Sequence, residues 1–117
     1  MTMGSHDHDF HVAMISHLPH LLAAALMLAS DDDAQALAAG SFRDATRVAS
    51  SPPNLWRDIC ESNRGAIIYS IGKLKKLLEE MEFAISDDDF DAVEEMFAKA
   101  KAIRNELAEK KGWGSGD

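Results

Sequence analysis

Residues 67–85 read IIYSIGKLKKLLEEMEFAI, and this stretch decides the fold. Within it, apolar side chains recur in alternating steps of four and three residues, the spacing that places them along one face of a helix. They are Ile67, Ile71, Leu74, Leu78, Met81 and Ile85. We therefore predict a long helix from Asn54 to about Ile85, with an apolar face that needs a partner helix.

A second apolar stripe follows Ser86-Asp87-Asp88-Asp89, an acidic segment suited to the start of a helix. Its members are Phe90, Val93, Phe97, Ala100, Ile103 and Leu107, and Lys110, Lys111 and Gly112 end the helix. The two stripes predict a long antiparallel helical hairpin. Its first helix, about 32 residues, would reach roughly 48 Å, beyond the roughly 35 Å of a compact domain of this size. We expect its exposed flank, which includes Trp56, Ile59 and Ile68, to pack against a second copy in a helical homodimer.

The N-terminal half predicts shorter helices. An apolar segment from about Asp9 to Ala29 contains Pro19, which removes a backbone donor and predicts a kink between Ile15 and Pro19. Ser30, followed by three aspartates, is typical of a helix cap, and Gly40 is typical of a helix end, so a short helix lies between them. Residues 41–50 predict a second short helix, and the prolines at 52 and 53 favour the start of the long one. No strand pattern occurs, so we expect an all-α fold of about five helices.

Composition limits the class of protein. The chain has 117 residues, enough for one domain but too few for a cofactor domain and a substrate domain together. A net charge of −8, with no cluster of basic residues, excludes nucleic acid as a partner. The single cysteine, Cys60, favours the cytoplasm. The apolar run from Leu18 to Ala29, about twelve residues, is shorter than the roughly 20 of a membrane span, so no membrane partner is expected.

These patterns predict the domain boundaries. We assign residues 1–7 to a disordered or cloning-derived N-terminus, residues 8–111 to one helical domain and residues 112–117 to a flexible tail.

All five histidines lie in the first twenty residues: His6, His8, His11, His17 and His20. The pairs three residues apart share a helix face and would suit a zinc ion, although no cysteine joins them. The first three histidines also fit a solvated N-terminus. His17 and His20 lie within an apolar helix, where each needs a hydrogen-bond partner or a ligand. Core histidines and ligand-binding histidines are both consistent with this position.

Charged residues cluster in the second short helix. Arg43 and Arg47 are four residues apart, and Asp44 and Arg47 are three apart, so they share one helix face. Surface salt bridges are the usual explanation for such a face. In an acidic protein, an arginine near a histidine-bearing helix would also suit a carboxylate clamp, because its planar guanidinium binds carboxylates through two hydrogen bonds.

Three motifs, in order, carry a resemblance to a known family. They are His8-Asp9, the segment SHLPH at 16–20, and the segment GSFRDATRVASSPPNLWRDI at 40–59. Together they resemble the C-terminal, dimer-forming and substrate-side domain of prephenate dehydrogenase, over about residues 8–110. The resemblance implies an NAD- or NADP-dependent oxidative decarboxylation of prephenate to 4-hydroxyphenylpyruvate in tyrosine biosynthesis. It also implies a homodimer, a prephenate-like carboxylate ligand and a Rossmann domain supplied by the full-length protein.

The resemblance implies a set of substrate-binding residues as well. Arg47 would hold a substrate carboxylate, Asp9 would pair with that arginine and orient it, and His20 would contact the substrate. Further positions match residues that form or close the site, partly across the dimer interface: Gly40, Asp44 and Trp56. Ser51 and His17 match the same motifs.

The chain also departs from the family pattern. It has no Gly-x-Gly-x-x-Gly after a strand and no counterpart of the family's catalytic histidine, so the resemblance implies no catalytic, cofactor-binding or metal-binding residue here. NAD or NADP would belong to the full-length protein, and this chain alone is expected to be inactive. Ser41 replaces a common second glycine, and the segment between His20 and Gly40 is short for the family. Two other functions stay open: a non-catalytic or regulatory module that binds an aromatic carboxylate, and a histidine-based metal-binding dimer.

Overall fold

The computed structural model describes residues 5–114, with side chains from Asp7 onwards. Its α-helices are α1 (Ser5–Val12), α2 (Leu18–Ala29), α3 (Asp32–Ala36), α4 (Gly40–Thr46), α5 (Pro53–Ser62), α6 (Arg64–Ser86) and α7 (Phe90–Lys111). A π-helical turn (Ala13–His17) joins α1 to α2, and a 3₁₀ turn (Arg47–Ser50) follows α4. No strand occurs in this range, so the all-α prediction is confirmed. The helix α1 begins inside the predicted disordered N-terminus; residues 1–4 and 115–117 of the predicted termini lie outside the described residues.

The chain divides into two compact units, with the boundary between Leu74 and Lys75 inside α6. The core of the first unit is formed by Ala13, Ala66 and Ile67, which are at most 5% exposed. Half-buried apolar side chains pack around them: Phe10, Leu21, Ile59, Cys60 and Ile71. The N-terminal helices are therefore held against α5 and the first half of α6.

The predicted irregularity around Pro19 takes the form of the π-helical turn at Ala13–His17. Proline has no backbone N–H, and its ring crowds the carbonyl group four residues earlier, here that of Ile15. A wider turn before Pro19 relieves this conflict and leaves Pro19 near the start of α2, where proline is tolerated.

The short helices begin and end near the predicted positions, with two corrections. Asp31, rather than Ser30, caps α3, because its carboxylate accepts a hydrogen bond of 2.8 Å from the Ala34 amide. The Ser30 hydroxyl instead donates to the Met27 carbonyl oxygen at 2.8 Å and so closes α2. Gly40 opens α4 and does not end α3, which stops at Ala36.

The predicted long helix from Asn54 to Ile85 is wrong, because it is interrupted at Asn63 between α5 and α6. Asn63 has φ −118° and ψ 37°, outside the helical region. The unbroken part, α6, has 23 residues and reaches about 35 Å rather than 48 Å, so the length argument for a dimer no longer holds. If α1, the π turn and α2 are counted as one kinked helix, the described residues contain six helices instead of five.

The second unit contains the end of α6 and all of α7. The turn between them follows a Schellman pattern, in which the Asp88 amide bonds to the Ile85 carbonyl oxygen and the Asp89 amide to that of Ala84. Asp88 takes the left-handed conformation, with φ 57°. The Asp89 carboxylate then accepts a hydrogen bond of 3.2 Å from the Ala92 amide and caps α7, as its acidic start predicts.

The helix α7 ends as predicted at Gly112, which is left-handed with φ 69°. The Trp113 amide bonds to the Ala108 carbonyl oxygen at 2.9 Å, and the indole lies 4.4 Å from the Arg104 guanidinium. Gly112 and Trp113, both in the predicted flexible tail, therefore belong to the helix cap.

The two predicted stripes are present in α6 and α7, but they do not bury each other. Leu78 is 51% exposed, Phe90 60% and Phe97 69%. Other members of the stripes, Ile85 and Ile103, are exposed as well. The helices are joined by a short turn as predicted, but their apolar faces remain free to contact another surface. Exposed apolar area of this kind is a reason to expect a protein interface.

Among the described residues, one helical stretch is long and apolar enough to cross a membrane: Asp7–Ala29 has 23 residues and contains an 18-residue window with a mean hydropathy of 1.8. The sequence-based estimate was shorter because it began at Leu18. Length and composition alone are weak evidence, since core helices and signal sequences pass the same test. Ala13, Leu18 and Ala23 in this stretch are buried within the structure, and 17% of its apolar window is buried.

Candidate aromatic pocket

Two aromatic rings form the centre of the candidate site. The imidazole of His20, from α2, stacks on the indole of Trp56, from α5, with ring centroids 4.1 Å apart and an interplanar angle of 24°. His17, from the π turn, meets the same indole edge-on, at 5.9 Å and 83°. The kink before Pro19 and the prolines that start α5 thus bring three rings together. Offset stacks and edge-to-face pairs are the preferred arrangements of aromatic rings.

A pocket of about 210 Å³ opens beside the stacked rings. It is lined by His20, Leu21, Ala24, Val48, Ala49, Ser51, Pro53 and Trp56. Most of this lining is apolar, and polar groups come from His20 and Ser51. A small apolar cavity with few polar groups is typical of a site for a small molecule.

Hydrogen bonds to the backbone fix both polar groups of the pocket. The Nδ1 atom of His20 lies 3.0 Å from the Ser16 carbonyl oxygen. Because a carbonyl oxygen only accepts, Nδ1 donates, and Nε2 remains for a ligand. The Ser51 hydroxyl donates to the Val48 carbonyl oxygen at 2.7 Å, which leaves its oxygen as an acceptor. The pocket is therefore pre-organised on its polar side.

His17 lies behind this pocket and does not line it. Its Nδ1 atom is 3.4 Å from the side-chain nitrogen of Asn63, which also donates to the Asp9 carbonyl oxygen at 3.0 Å. Burial lowers the pKa of His17 below its ordinary value of 6.5, and electrostatic repulsion from His20 lowers the pKa further. Both effects favour a neutral imidazole at this position.

Arg47 lies in a neighbouring groove rather than in the pocket itself. The groove has a volume of about 840 Å³ and is also lined by Arg43. The groove and the pocket share Ala24, Ala49 and Pro53, so they adjoin. A ligand that fills the pocket and extends across these shared residues would approach the two arginines.

The other predicted site residues lie apart from the pocket. Asp9 lines a separate hollow at the start of α6 and forms no ion pair with Arg47; among the side chains of residues 7–114 the one ion pair joins Lys110 to Glu106. Gly40 and Asp44 are exposed on α4, and the space around Gly40 would admit a Cβ atom. The structure thus brings together His20, Ser51 and Trp56, places Arg47 nearby and leaves the remaining roles as predictions.

Sequence reasoning missed Asn63, which links α1, the π turn and the break before α6 through its side chain. A signal was available, because Asn63 and Gly65 are poor helix formers within an otherwise helical stretch. Apolar spacing on both sides of the break concealed it.

The metal site considered as an alternative lacks a set of ligands among the described residues. In the part of the chain that the structure describes, no three His, Cys, Asp or Glu side chains are grouped so that they could share an ion. His11 directs its Nδ1 atom to the Asp7 carbonyl oxygen, at 2.7 Å, much as His20 does to Ser16.

An all-α fold with exposed apolar faces on two long helices is typical of a domain that contacts another protein surface, and a small aromatic pocket is typical of a small-molecule site. Comparison with known families makes this assignment specific. The family model described as "Prephenate dehydrogenase, dimerization domain" matches residues 4–99. The chain belongs to this family, and the resemblance noted in the sequence is confirmed.

Individual relatives agree with the family assignment. A prephenate dehydrogenase of Lactococcus lactis subsp. cremoris is 35% identical over 116 residues, which are 94% of this chain and 33% of the relative. A cyclohexadienyl dehydrogenase of Zymomonas mobilis is 36% identical over 87% of this chain and 37% of the relative. The chain therefore spans about a third of the length of these relatives.

Solved structures give the same result for the fold. The crystal structure of Synechocystis arogenate dehydrogenase matches with a TM-score of 0.79 and 31% identity, over 86% of this chain and 39% of that one. The A. aeolicus prephenate dehydrogenase, solved with hydroxyphenyl propionate and NAD+, also matches with a TM-score of 0.79, at 30% identity over 90% of this chain and 39% of that one.

The residues present do not fit the dinucleotide cofactor of this family. A dinucleotide pyrophosphate is normally held by a glycine-rich turn between a strand and a helix. Residues 5–114 contain no strand, and the sequence contains no Gly-x-Gly-x-x-Gly. No step that involves NAD or NADP can therefore be assigned to the described residues.

Proposed function

We propose that this chain forms a homodimer and supplies the substrate-side part of a prephenate dehydrogenase, with the pocket beside His20 and Trp56 as the site for an aromatic or cyclohexadienyl carboxylate. The observation that carries this proposal is the His20–Trp56 stack, which forms one wall of an otherwise apolar pocket. Transfer of a hydride to NAD or NADP would require a Rossmann domain in addition to these residues.

The pocket suits a six-membered ring. The indole of Trp56 and the apolar side chains of Leu21, Val48 and Pro53 offer flat and aliphatic surfaces to the ring. His20 Nε2 and the Ser51 oxygen remain available as acceptors for a hydroxyl group at one end of it. Hydroxyphenyl propionate, found in the similar A. aeolicus structure, combines such a ring with a carboxylate.

The adjoining groove suits the carboxylate. Arg43 and Arg47 form no ion pair within residues 5–114, although the chain carries a net charge of −8. An unpaired arginine in an acidic protein is available to an anionic ligand, and a guanidinium binds a carboxylate through two hydrogen bonds. We assign this contact to Arg47 because it matches the family motif. In the full dimer, Asp9, Gly40 and Asp44 complete the site, in part from the partner subunit.

The exposed stripes of α6 and α7 provide the surface for the homodimer. They include aromatic and aliphatic side chains that are half or more exposed in the single chain, such as Phe97 and Ile103. The matching family is itself described as a dimerization domain. Cytoplasmic localisation is part of the proposal; Cys60 is a free thiol, as is usual in a reducing compartment.

Calorimetric titration with hydroxyphenyl propionate tests the site. The wild-type chain should bind it, and Arg47→Ala should lower the affinity by about 10- to 150-fold, the effect of one charge-assisted hydrogen bond. Arg57→Ala, which removes an exposed arginine of the same helix as Trp56 but outside the pocket, serves as the control. Equal affinities for the wild type and the Arg47 variant would contradict the assignment of the arginine.

Complementation separates the dehydrogenase from a non-catalytic module. A separately supplied Rossmann domain with NAD and prephenate should restore turnover if this chain is the substrate-side part of the enzyme. Binding of hydroxyphenyl propionate without any turnover in that mixture would favour a regulatory, non-catalytic role.

A further inference from the structure

Asn63 lies at the junction between α5 and α6, and its backbone forms a hydrogen bond with each helix. Its amide donates to the Ile59 carbonyl oxygen at 2.9 Å and ends α5, while its carbonyl oxygen accepts from the Ile67 amide at 3.0 Å and starts α6. Because the backbone is fixed on both sides, the short side chain has a defined position. It reaches back to the N-terminal helices instead of solvent.

The side chain of Asn63 makes two contacts through one nitrogen atom. Nδ2 donates to the Asp9 carbonyl oxygen at 3.0 Å and lies 3.4 Å from His17 Nδ1. An amide nitrogen carries two hydrogens and cannot accept. The contact to Asp9 identifies this atom as the nitrogen, since a carbonyl oxygen would not face another oxygen at that distance. His17 Nδ1 must therefore accept, and the ring proton of His17 lies on Nε2.

The fixed orientation of His17 affects the pocket through its contact with Trp56. Its ring meets Trp56 edge-on, and Trp56 stacks on His20, which lines the pocket. A protonated His17 would present an N–H group to the amide of Asn63, which offers only hydrogens. Its positive charge would also lie close to His20. The neutral ring avoids both conflicts.

We propose that Asn63 is a positioning residue of the ligand site: by donating to His17 Nδ1 it fixes the ring and tautomer of His17, which supports the Trp56 wall of the pocket. This inference rests on the proposed function, in that the pocket is taken to be the ligand site. Asn63 does not line that pocket itself and acts only through His17. A series of side-chain contacts in which one residue orients the next is a common way to hold a binding group in place.

Nitrogen-15 NMR of the 117-residue chain tests the hydrogen bond without any ligand. In the wild type, His17 should carry its proton on Nε2, with Nδ1 unprotonated. Asn63→Asp replaces the donor by an acceptor of the same shape, so the proton should move to Nδ1 and the pKa of His17 should rise. Asn63→Ala should give a mixture of tautomers. Asn105→Ala, at an exposed position of α7, should leave His17 unchanged.

The wild-type spectrum alone can overturn the proposal, because a proton on Nδ1 would show that Asn63 does not donate to the ring. Unchanged tautomers in both Asn63 variants would overturn it as well.

Titration with hydroxyphenyl propionate then tests the effect on the pocket. Asn63→Ala should weaken binding by about 2- to 10-fold, the effect of one neutral hydrogen bond, while Asn105→Ala should have no effect. A change of tautomer with unchanged affinity would show that Asn63 has a structural role only, and would overturn the positioning role. If the wild type binds no probe, the proposed function fails, while the tautomer measurement still decides whether Asn63 orients His17.

Discussion

Replacement of Phe97 by alanine should separate the stability of the single chain from the stability of the dimer. Phe97 lies on α7 and is 69% exposed, so a single chain loses little packing when the ring is removed. Alanine is also the better helix former, by about 0.5 kcal/mol. We therefore expect α7 to form as before and the single chain to be no less stable. Any large effect must come from a surface that a partner covers.

The size of that effect follows from the exposed fraction. Burying a whole phenylalanine contributes about 1.5–3 kcal/mol, and the 69% that is exposed here leaves roughly 1–2 kcal/mol for a partner to cover. A two-fold dimer buries the residue twice, so the loss is roughly 2–4 kcal/mol. The dissociation constant of the dimer should rise by about 30- to 1,000-fold.

Sedimentation equilibrium over a dilution series measures this constant. The control is Lys99→Ala, which truncates an exposed polar residue of the same helix and should leave the constant unchanged. Circular dichroism should show equal helix content in all three proteins. An unchanged dissociation constant for Phe97→Ala would refute the assignment of the α7 stripe to the dimer interface. Loss of helix in the dilute variant would refute the claim that Phe97 contributes little to the stability of a single chain.

Three further predictions concern stability. Asp88→Gly should raise the melting temperature by a few degrees, about 0.5–1 kcal/mol, because glycine adopts the left-handed conformation without steric cost; an equal gain from Asp87→Gly would contradict this. Ile67→Ala, in the core, should cost about 2–5 kcal/mol in chemical denaturation, and a loss below about 1 kcal/mol would contradict the packing described. Because folding lowers the pKa of His17, the contribution of its neutral ring to the free energy of unfolding is complete above the ordinary pKa of 6.5. This contribution is lost as the pH falls from 6.5 through the lowered pKa. Thermal melts should show this loss in the wild type and a smaller one in His17→Gln, and equal losses would contradict it.

The features that the sequence predicted correctly depend on short-range patterns. The Asp89 cap and the Gly112 end of α7 each depend on residues within one turn, so local chemistry determines them. The irregularity near Pro19 follows from the missing N–H of one residue. Its π-helical form could not be predicted, because it also depends on how α1 and α2 pack against α5 and α6.

The features that the sequence did not predict depend on distant contacts. The break at Asn63 is stabilised by the Asp9 carbonyl oxygen and the His17 ring, which lie 54 and 46 residues away in the chain. Heptad spacing showed that the stripes need a partner, but it could not distinguish a neighbouring helix from a second copy. Phe97 and Leu78 are exposed in the single chain, so the neighbouring helix does not cover them.

The candidate site was only partly accessible to sequence reasoning. Spacing left His17 and His20 open between core and ligand roles, and the resemblance added Trp56 and Ser51. The structure brings His20, Ser51 and Trp56 to one pocket. Asp9 and Arg47 are predicted to pair, but they line different hollows of the single chain, so their pairing stays a prediction.

The π-helical turn at Ala13–His17 also determines how this part of the chain responds to the deletion of a residue. Such a turn holds one residue more than the α-helical turn it replaces. Deletion of a single residue here would allow an ordinary α-helical turn to form, and α1 would keep nearly the same orientation relative to α2, because the π turn accommodates the extra residue within itself. A deletion before His17 would leave His17 and His20 three residues apart. In a designed variant, deletion of one residue within Ala13–His17 should therefore disturb the packing of α1 less than deletion of one residue within α1 or α2.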